Sequence, residues 1–411
     1  MSTTADILVK NARLPGQGEA LLDIAIADGL ILEVAPSLAK PARVTLDAAG
    51  NLVTPAYVNP HLHLCKVWTL PMMSEAALDA YHGAGMSGAA AAIDLAAAVK
   101  ARYDASWIIP NARRAVALSA LHGNLYIRAF ADVDGKARLE GVKALLAIRD
   151  EFRGVVDIQV VAFPQDGIIR EPDAATLMRE AMAMGADIVG GIPWIEPATA
   201  DAETHIRFCF DLAATHGAEI SMLLDDVGDG GMRTLAMMAK EALARGWQGR
   251  ALAHHCRAMA LYPQDYLGEL IALLHQARVS IVSDPHTGPL HAPVKELLEA
   301  GVNVCLGQDD ISDAYYPFGR NNMAEVAFLA SHLLWMQKRH EIETLHEMIT
   351  TRAASAMNLS DYGLTAGCKA NLIVHDYPDV TEALRFHAPP RHVLSHGRPV
   401  DLARMRQLAQ G

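Results

Sequence analysis

The sequence predicts an α/β protein: a (β/α)8 barrel carrying a small β-sandwich domain built from both termini. Three observations predict it. Eight short apolar runs recur through the middle of the chain, longer helical patterns separate several of them, and both ends are rich in strand-like segments with turns. Strands covered by helices on both faces are nearly continuously apolar, as these middle runs are. A doubly wound open sheet is the alternative, but no glycine-rich phosphate loop follows the early strands.

The first part reads as strands at residues 6–10, 21–27 and 30–34, the last two joined by the turn Asp28-Gly29, with another around 44–46. After Ala49-Gly50, an apolar run from 52 to 58 reads as a strand leading into Asn59-Pro60-His61-Leu62-His63-Leu64. The eight barrel runs are 58–64, 125–133, 158–163, 188–194, 220–224, 251–255, 279–283 and 302–306, with helical stretches such as 175–184, 234–244 and 294–300 between them. Residues 370–375 and 392–394, followed by His396-Gly397-Arg398, resemble the opening strands. The expected division is a small β domain of 1–58 and 366–411 around a barrel of 59–365.

A chain of 411 residues with 51% hydrophobic and 20% charged content has material for a large core. The net charge of −12 argues against nucleic acid or an anionic membrane as partner. Cys65, Cys209, Cys256, Cys305 and Cys368 are widely spaced and odd in number, the pattern of reduced thiols. No basic-then-apolar leader opens the chain, and the alanine-rich stretch 89–99 is too short to span a bilayer and contains Asp94. A cytoplasmic protein with a small-molecule partner is expected. Its assembly state, a homo-oligomer included, is left open.

Side chains at i and i+2 of a strand share a face, so His61 and His63 stand side by side. Neutral imidazole is the commonest zinc ligand and also suits iron. Barrel active sites form at the carboxyl ends of the strands. There the sequence places His61 and His63, Gln165-Asp166, Trp194 with Glu196, Asp225-Asp226, His254-His255, Asp284 with His286, and Gln308-Asp309-Asp310. Packing does not account for so many histidines and carboxylates at strand ends.

With these residues in view, the chain resembles the amidohydrolase superfamily, in the branch containing cytosine deaminase and N-isopropylammelide amidohydrolase. The resemblance runs nearly the full length, through Leu22-Asp23-Ile24-Ala25-Ile26 with Asp28-Gly29, Asn59-Pro60-His61-Leu62-His63, Val161-Ala162-Phe163-Pro164-Gln165-Asp166-Gly167, Gly307-Gln308-Asp309-Asp310, Tyr316-Pro317-Phe318-Gly319 with Asn322-Met323, and Ala366-Gly367-Cys368-Lys369-Ala370-Asn371-Leu372. It implies one divalent metal ion (Zn, Fe or Mn) held by His61, His63 and Asp309, with His255 where the branch keeps the histidine that contacts the hydrolytic water. It further implies Gln165 and Asp310 as substrate readers, Lys66 as a contact to an anionic or carbonyl oxygen, and Asp226 as the proton shuttle, where cytosine deaminases keep a Glu. Tyr315, Trp68, Met72 and Met73 are candidates for an apolar substrate wall. Cys65 and Cys256 flank the site as buried thiols, and His286 either contacts substrate or caps its strand.

One departure stands out. Where the branch places a histidine ligand on the fifth barrel strand, this chain has Leu223. No histidine lies between His216, in a helical stretch, and His254. Three outcomes are open: His255 coordinates directly, giving His61, His63, His255 and Asp309; Asp225 or Asp226 reaches the ion, favouring iron or manganese; or metal is held weakly. The function implied is hydrolysis of a C–N bond in a small nitrogen heterocycle, cytosine-deaminase-like. Cleavage of a cyclic amide by the same chemistry, or a metal-poor paralogue without turnover, are the alternatives.

Overall fold

The computed structural model describes residues 4–73, 75 and 98–410. The alanine-rich stretch therefore lies, up to residue 97, outside the described residues. Among the described residues, sixteen strands form three sheets: β1 (Ala5–Arg13), β2 (Leu21–Ala27), β3 (Leu30–Ala35), β4 (Ala42–Asp47), β5 (Val53–Pro55), β6 (Tyr57–Leu62), β7 (Asn124–Asp132), β8 (Asp157–Phe163), β9 (Ile188–Gly191), β10 (Glu219–Leu224), β11 (Ala251–His255), β12 (Ser280–Ser283), β13 (Val304–Leu306), β14 (Leu372–Val374), β15 (His392–Ser395) and β16 (Arg398–Pro399).

Strands β6 to β13 make one eight-stranded parallel sheet in sequence order. Its two edges meet at Leu62 and Asp309. The Asp309 amide donates to the His61 carbonyl at 2.9 Å, and the His63 amide donates to the Asp309 carbonyl at 2.8 Å. Asn59 braces the seam: its Oδ1 accepts from the amides of His61 and Gln308, both at 3.2 Å. Gly307 permits the approach, since a Cβ there would stand 2.8 Å from the His61 Cβ. The barrel is thus closed by the segments that carry the histidine pair and the acidic pair.

The two remaining sheets, in the orders β3-β2-β1-β4 and β16-β15-β14-β5, draw on both ends of the chain. They share one apolar cluster that includes Val9, Ile24, Ile26, Val53, Leu372 and Leu394. The apolar run 52–58, read as one strand, is divided between two sheets. β5 pairs with β14, whereas Tyr57 starts the barrel, and the chain switches at Ala56, whose amide bonds the Asn371 carbonyl at 2.9 Å. Hydrophobicity alone carries no mark of such a switch. The run 188–194 also shortens: β9 ends at Gly191 and a 3-10 turn follows at Pro193–Ile195. The terminal helix Leu402–Gln410 lies on the barrel helix Ala105–Leu121, where Arg114 Nε reaches the Ala409 carbonyl at 3.0 Å.

Inside the barrel, one face of β10 presents Glu219, Ser221 and Leu223 at successive levels. Glu219 binds the fully buried Arg128 at 2.8 Å, Ser221 binds His254 at 2.6 Å, and Leu223 reaches the cavity above. Among the described residues, no helix is long and apolar enough to cross a membrane.

Candidate metal centre and active site

The cavity at the carboxyl ends of the strands is lined by His63, Lys66, Gln165, Ile192, Trp194, Leu223, Asp226, His255, Arg257, Thr287, Asp309, Asp310 and Tyr315. Of the four ligands His61, His63, His255 and Asp309, only His61 is missing from this lining. It lies just beneath, its Nε2 2.9 Å from Asp309 Oδ1, and His63 Nε2 is 3.8 Å from the same oxygen.

Two backbone turns build this convergence. Adjacent residues of a regular strand face opposite ways, yet His254 and His255 both turn inward. His255 has φ 65° and Cys256 φ 52°, left-handed values uncommon in residues with a side chain. Asp309, at φ 67°, does the same for itself and Asp310. Such conformations persist where the surroundings over-determine them, often at functional sites.

The donors fit a divalent ion. His61, His255 and Asp309 bring their ligand atoms within 4.8 Å of one another, and so do His63, Asp309 and Asp310. The His255 ring is oriented for ligation, because Asp284 holds Nδ1 at 2.8 Å and leaves Nε2 facing the cavity, 3.9 Å from Asp226. A carboxylate behind a ligating imidazole is a recurring support for bound metal. Burial disfavours a charged His255, but Asp226 and Asp284 outweigh it and raise its pKa to about 9. Burial lowers His61 and His63, keeping both rings neutral and available as ligands. Asp309 is held well below the carboxylate range, because His255 and His61 outweigh the cost of burial.

Beside these donors the lining is polar and buried. Lys66 Nζ lies 3.4 Å from Gln165 Oε1, 3.6 Å from Asp310 and 4.3 Å from the centre of the Tyr315 ring. Burial opposes its charge, but Asp310 and Asp313 hold it charged. Burial, reinforced by Asp309 and Asp313, pushes Asp310 well up. Ile192, Trp194 and Leu223 form the apolar side, in a cluster with Phe130 and Phe163. Trp68, Met72 and Met73 do not line this cavity; Trp68 instead stacks under Arg114.

Leu223 is buried in that apolar wall and offers no donor, so among the described residues of β10 none ligates. Asp225 does not compensate. With φ 48° it turns away, and its carboxylate is consumed by Thr234 at 2.6 Å and Tyr262 at 2.5 Å. Asp166 pairs with Lys100, and Glu196 caps the 168–170 amides and His205. His286 bonds the Gln308 carbonyl at 3.2 Å and stays outside the cavity lining. Burial raises the thiols of Cys65 and Cys256, leaving them unsuited to nucleophilic work.

Sequence reasoning missed Arg257 and Thr287. Arg257 pairs with Asp226 and lies 2.6 Å from Thr287 Oγ1, 3.4 Å from Asp284 and 3.8 Å from Asp309. Thr287 Oγ1 in turn donates to Asp309 at 2.9 Å. A signal existed: Arg257 is the one cation in the stretch 251–262, just past a strand end. The threonine carried none.

A family model described as "Amidohydrolase family" matches residues 44–401. The chain belongs to that family. This amidohydrolase is 29% identical, over 97% of its length and 98% of the relative's, to the N-isopropylammelide isopropyl amidohydrolase of Pseudomonas sp. (strain ADP). It is 26% identical to the pterin deaminase of Rhizobium rhizogenes, over 94% of this chain and 89% of that one. The 5-methylcytosine deaminase of Klebsiella pneumoniae, solved with 5-fluorocytosine, superposes with a TM-score of 0.86 at 30% identity, covering 96% of this chain and 97% of that one. The amidohydrolase is therefore a hydrolytic enzyme acting on non-peptide C–N bonds.

Proposed function

We propose that this amidohydrolase removes an amino or alkylamino group from a small nitrogen heterocycle, using one divalent ion held by His61, His63, His255 and Asp309. The observation that carries the reading is the meeting at one cavity of two donor triads that share Asp309, His61–His255–Asp309 and His63–Asp309–Asp310, with Gln165 and Lys66 beside them. The relatives named for ammelide, pterin and 5-methylcytosine all have nitrogen heterocycles as their named compounds.

A bound divalent ion lowers the pKa of water towards neutrality and polarises an amidine-like carbon. The chain's own residues supply the rest. Gln165 offers a donor and an acceptor together, which suits the edge of a lactam or aminopyrimidine. Lys66 and Asp310 hold the ring's exocyclic oxygen and ring N–H. Asp226, 3.9 Å from His255 Nε2, takes a proton and returns it to the departing amine. Arg257 is ion-paired with Asp226 and holds that carboxylate in place at the cavity wall. The apolar wall of Leu223, Ile192 and Trp194 favours a ring with an alkyl or second-ring substituent over a bare pyrimidine.

Zinc, iron and manganese all remain within reach of this donor set, and one ion is the proposed stoichiometry. We also propose the division into a barrel of 59–365 and a β-sandwich of 1–58 and 366–411, supported by the shared core of the two small sheets. The free cysteines support a cytoplasmic location.

The test is a panel of aminopyrimidines, aminotriazines and pterins with metal-loaded enzyme. Release of ammonia or amine with ring absorbance retained supports deamination. Loss of ring absorbance supports cyclic-amide opening, and no product from any of these rings would place the substrate outside the proposed class.

A further inference from the structure

We propose that His254 and Ser221 form a positioning pair that fixes the His61 ring as a metal ligand, a proposal that rests on the reading of His61 as a ligand. His61 turns Nε2 toward Asp309 at 2.9 Å and Nδ1 toward His254 Nδ1 at 2.7 Å. Two facing ring nitrogens make a hydrogen bond only when one carries hydrogen and the other does not. A ligating Nε2 must offer its lone pair, so His61 carries its proton on Nδ1 and donates it to His254. His254, accepting at Nδ1, keeps its own proton on Nε2 and donates it to Ser221 Oγ at 2.6 Å. Each link dictates the next.

The surroundings seal the chain of bonds from water. His61, His254 and Ser221 are all 0% exposed. Phe130 packs against both rings, with centroids 4.5 Å from His61 and 5.1 Å from His254. Ser221 lies on the β10 face that carries Leu223 one level higher. The strand that lacks a ligand thus still supports the metal, one hydrogen-bonded step removed, through the residue two before the leucine.

The experiment uses the full chain and measures zinc affinity by competition with a chromophoric chelator, together with the visible spectrum of the cobalt-substituted protein. His254→Leu keeps bulk and removes the acceptor, whereas His254→Asn retains an acceptor near the Nδ1 position. Ser221→Ala removes the second link and Ser221→Thr keeps it. His254→Leu is expected to weaken zinc binding about 10- to 100-fold, the usual range for losing a partner behind a ligand, and to shift the cobalt band. Ser221→Ala gives a smaller loss in the same direction, and His254→Asn and Ser221→Thr recover most of the affinity. Wild-type affinity and cobalt spectrum in His254→Leu overturn the proposal. Should His254→Leu fail to fold, equal zinc affinity in Ser221→Ala, Ser221→Thr and wild type overturns it instead. His61→Ala tests the underlying reading separately: if it keeps wild-type affinity, His61 is no ligand, whatever the His254 variants do.

Discussion

The guanidinium of Arg257 is ion-paired with the carboxylate of Asp226 inside the cavity that holds the candidate metal residues. Both are largely shielded from water, and the same guanidinium reaches Thr287 and Asp284. Removing one partner of a buried pair leaves the other charge uncompensated. Arg257→Leu should therefore destabilise the fold by about 3–5 kcal/mol, read from urea unfolding at neutral pH. A loss below about 1 kcal/mol would place the pair in the class of solvent-screened surface pairs.

Metal content is the plainest check of the donor set. Elemental analysis of the purified protein should find no more than one tightly held divalent ion per chain. His61→Ala and His63→Ala should each lose most of the ion and the activity together. Two equivalents in the wild type would contradict the single-ion proposal.

Gln165→Leu should leave a ring polar group unpaired at about 1–3 kcal/mol, roughly a 5- to 150-fold loss in kcat/KM. Metal content should not change. Native kinetics on the true substrate would reduce Gln165 to a bystander on the wall.

Leu223 stands in the cavity wall where a donor from β10 would stand. Leu223→His should tighten metal binding. Activity gained on cytosine-like rings would indicate simple ligand loss, and activity lost on the native substrate would indicate a site rebuilt around the leucine. Unchanged affinity would mean that this position does not face the ion.

His255 gives a pH signature. In the metal-free fold its pKa is raised to about 9, against ~6.5 for an unfolded histidine. The folded chain binds that proton more tightly, so the stabilisation is complete below ~6.5 and is lost as pH rises through about 9, roughly 3 kcal/mol in all. Denaturant midpoints of the metal-free protein should fall across that window, and His255→Gln should flatten the slope. Metal affinity should rise over the same interval, because the ion must displace the proton. A metal-free stability profile that rises from pH ~6.5 to ~9 would contradict the assignment.

Much of this was legible in the sequence, for identifiable reasons. The barrel strands announced themselves because burial on both faces demands continuous apolar runs, and β11 begins and ends where the pattern does, as does β2 in the small sheets. The His61–His63 pair was legible because period two is a property of any strand. The Ala56 switch between sheets was not, since it depends on the distant Asn371. Nor was the fate of Asp225 against Asp226: one backbone angle sends the first to Thr234 and Tyr262 and leaves the second facing the cavity. Arg257 escaped because its partners come from three other strand ends.

The seam between β6 and β13 has a consequence for biogenesis. His61 and Asp309 are 248 residues apart in the chain, yet each holds the other's backbone in place. No fragment ending before Asp309 can own this site, however well its early strands form. On the proposed donor set, a ribosome must deliver the chain through Asp309 before the ligands of the ion are complete, and metal retention then reports that translation has passed that point. Chains cut or stalled upstream of Asp309 would emerge with the histidine pair intact and nothing to close upon it.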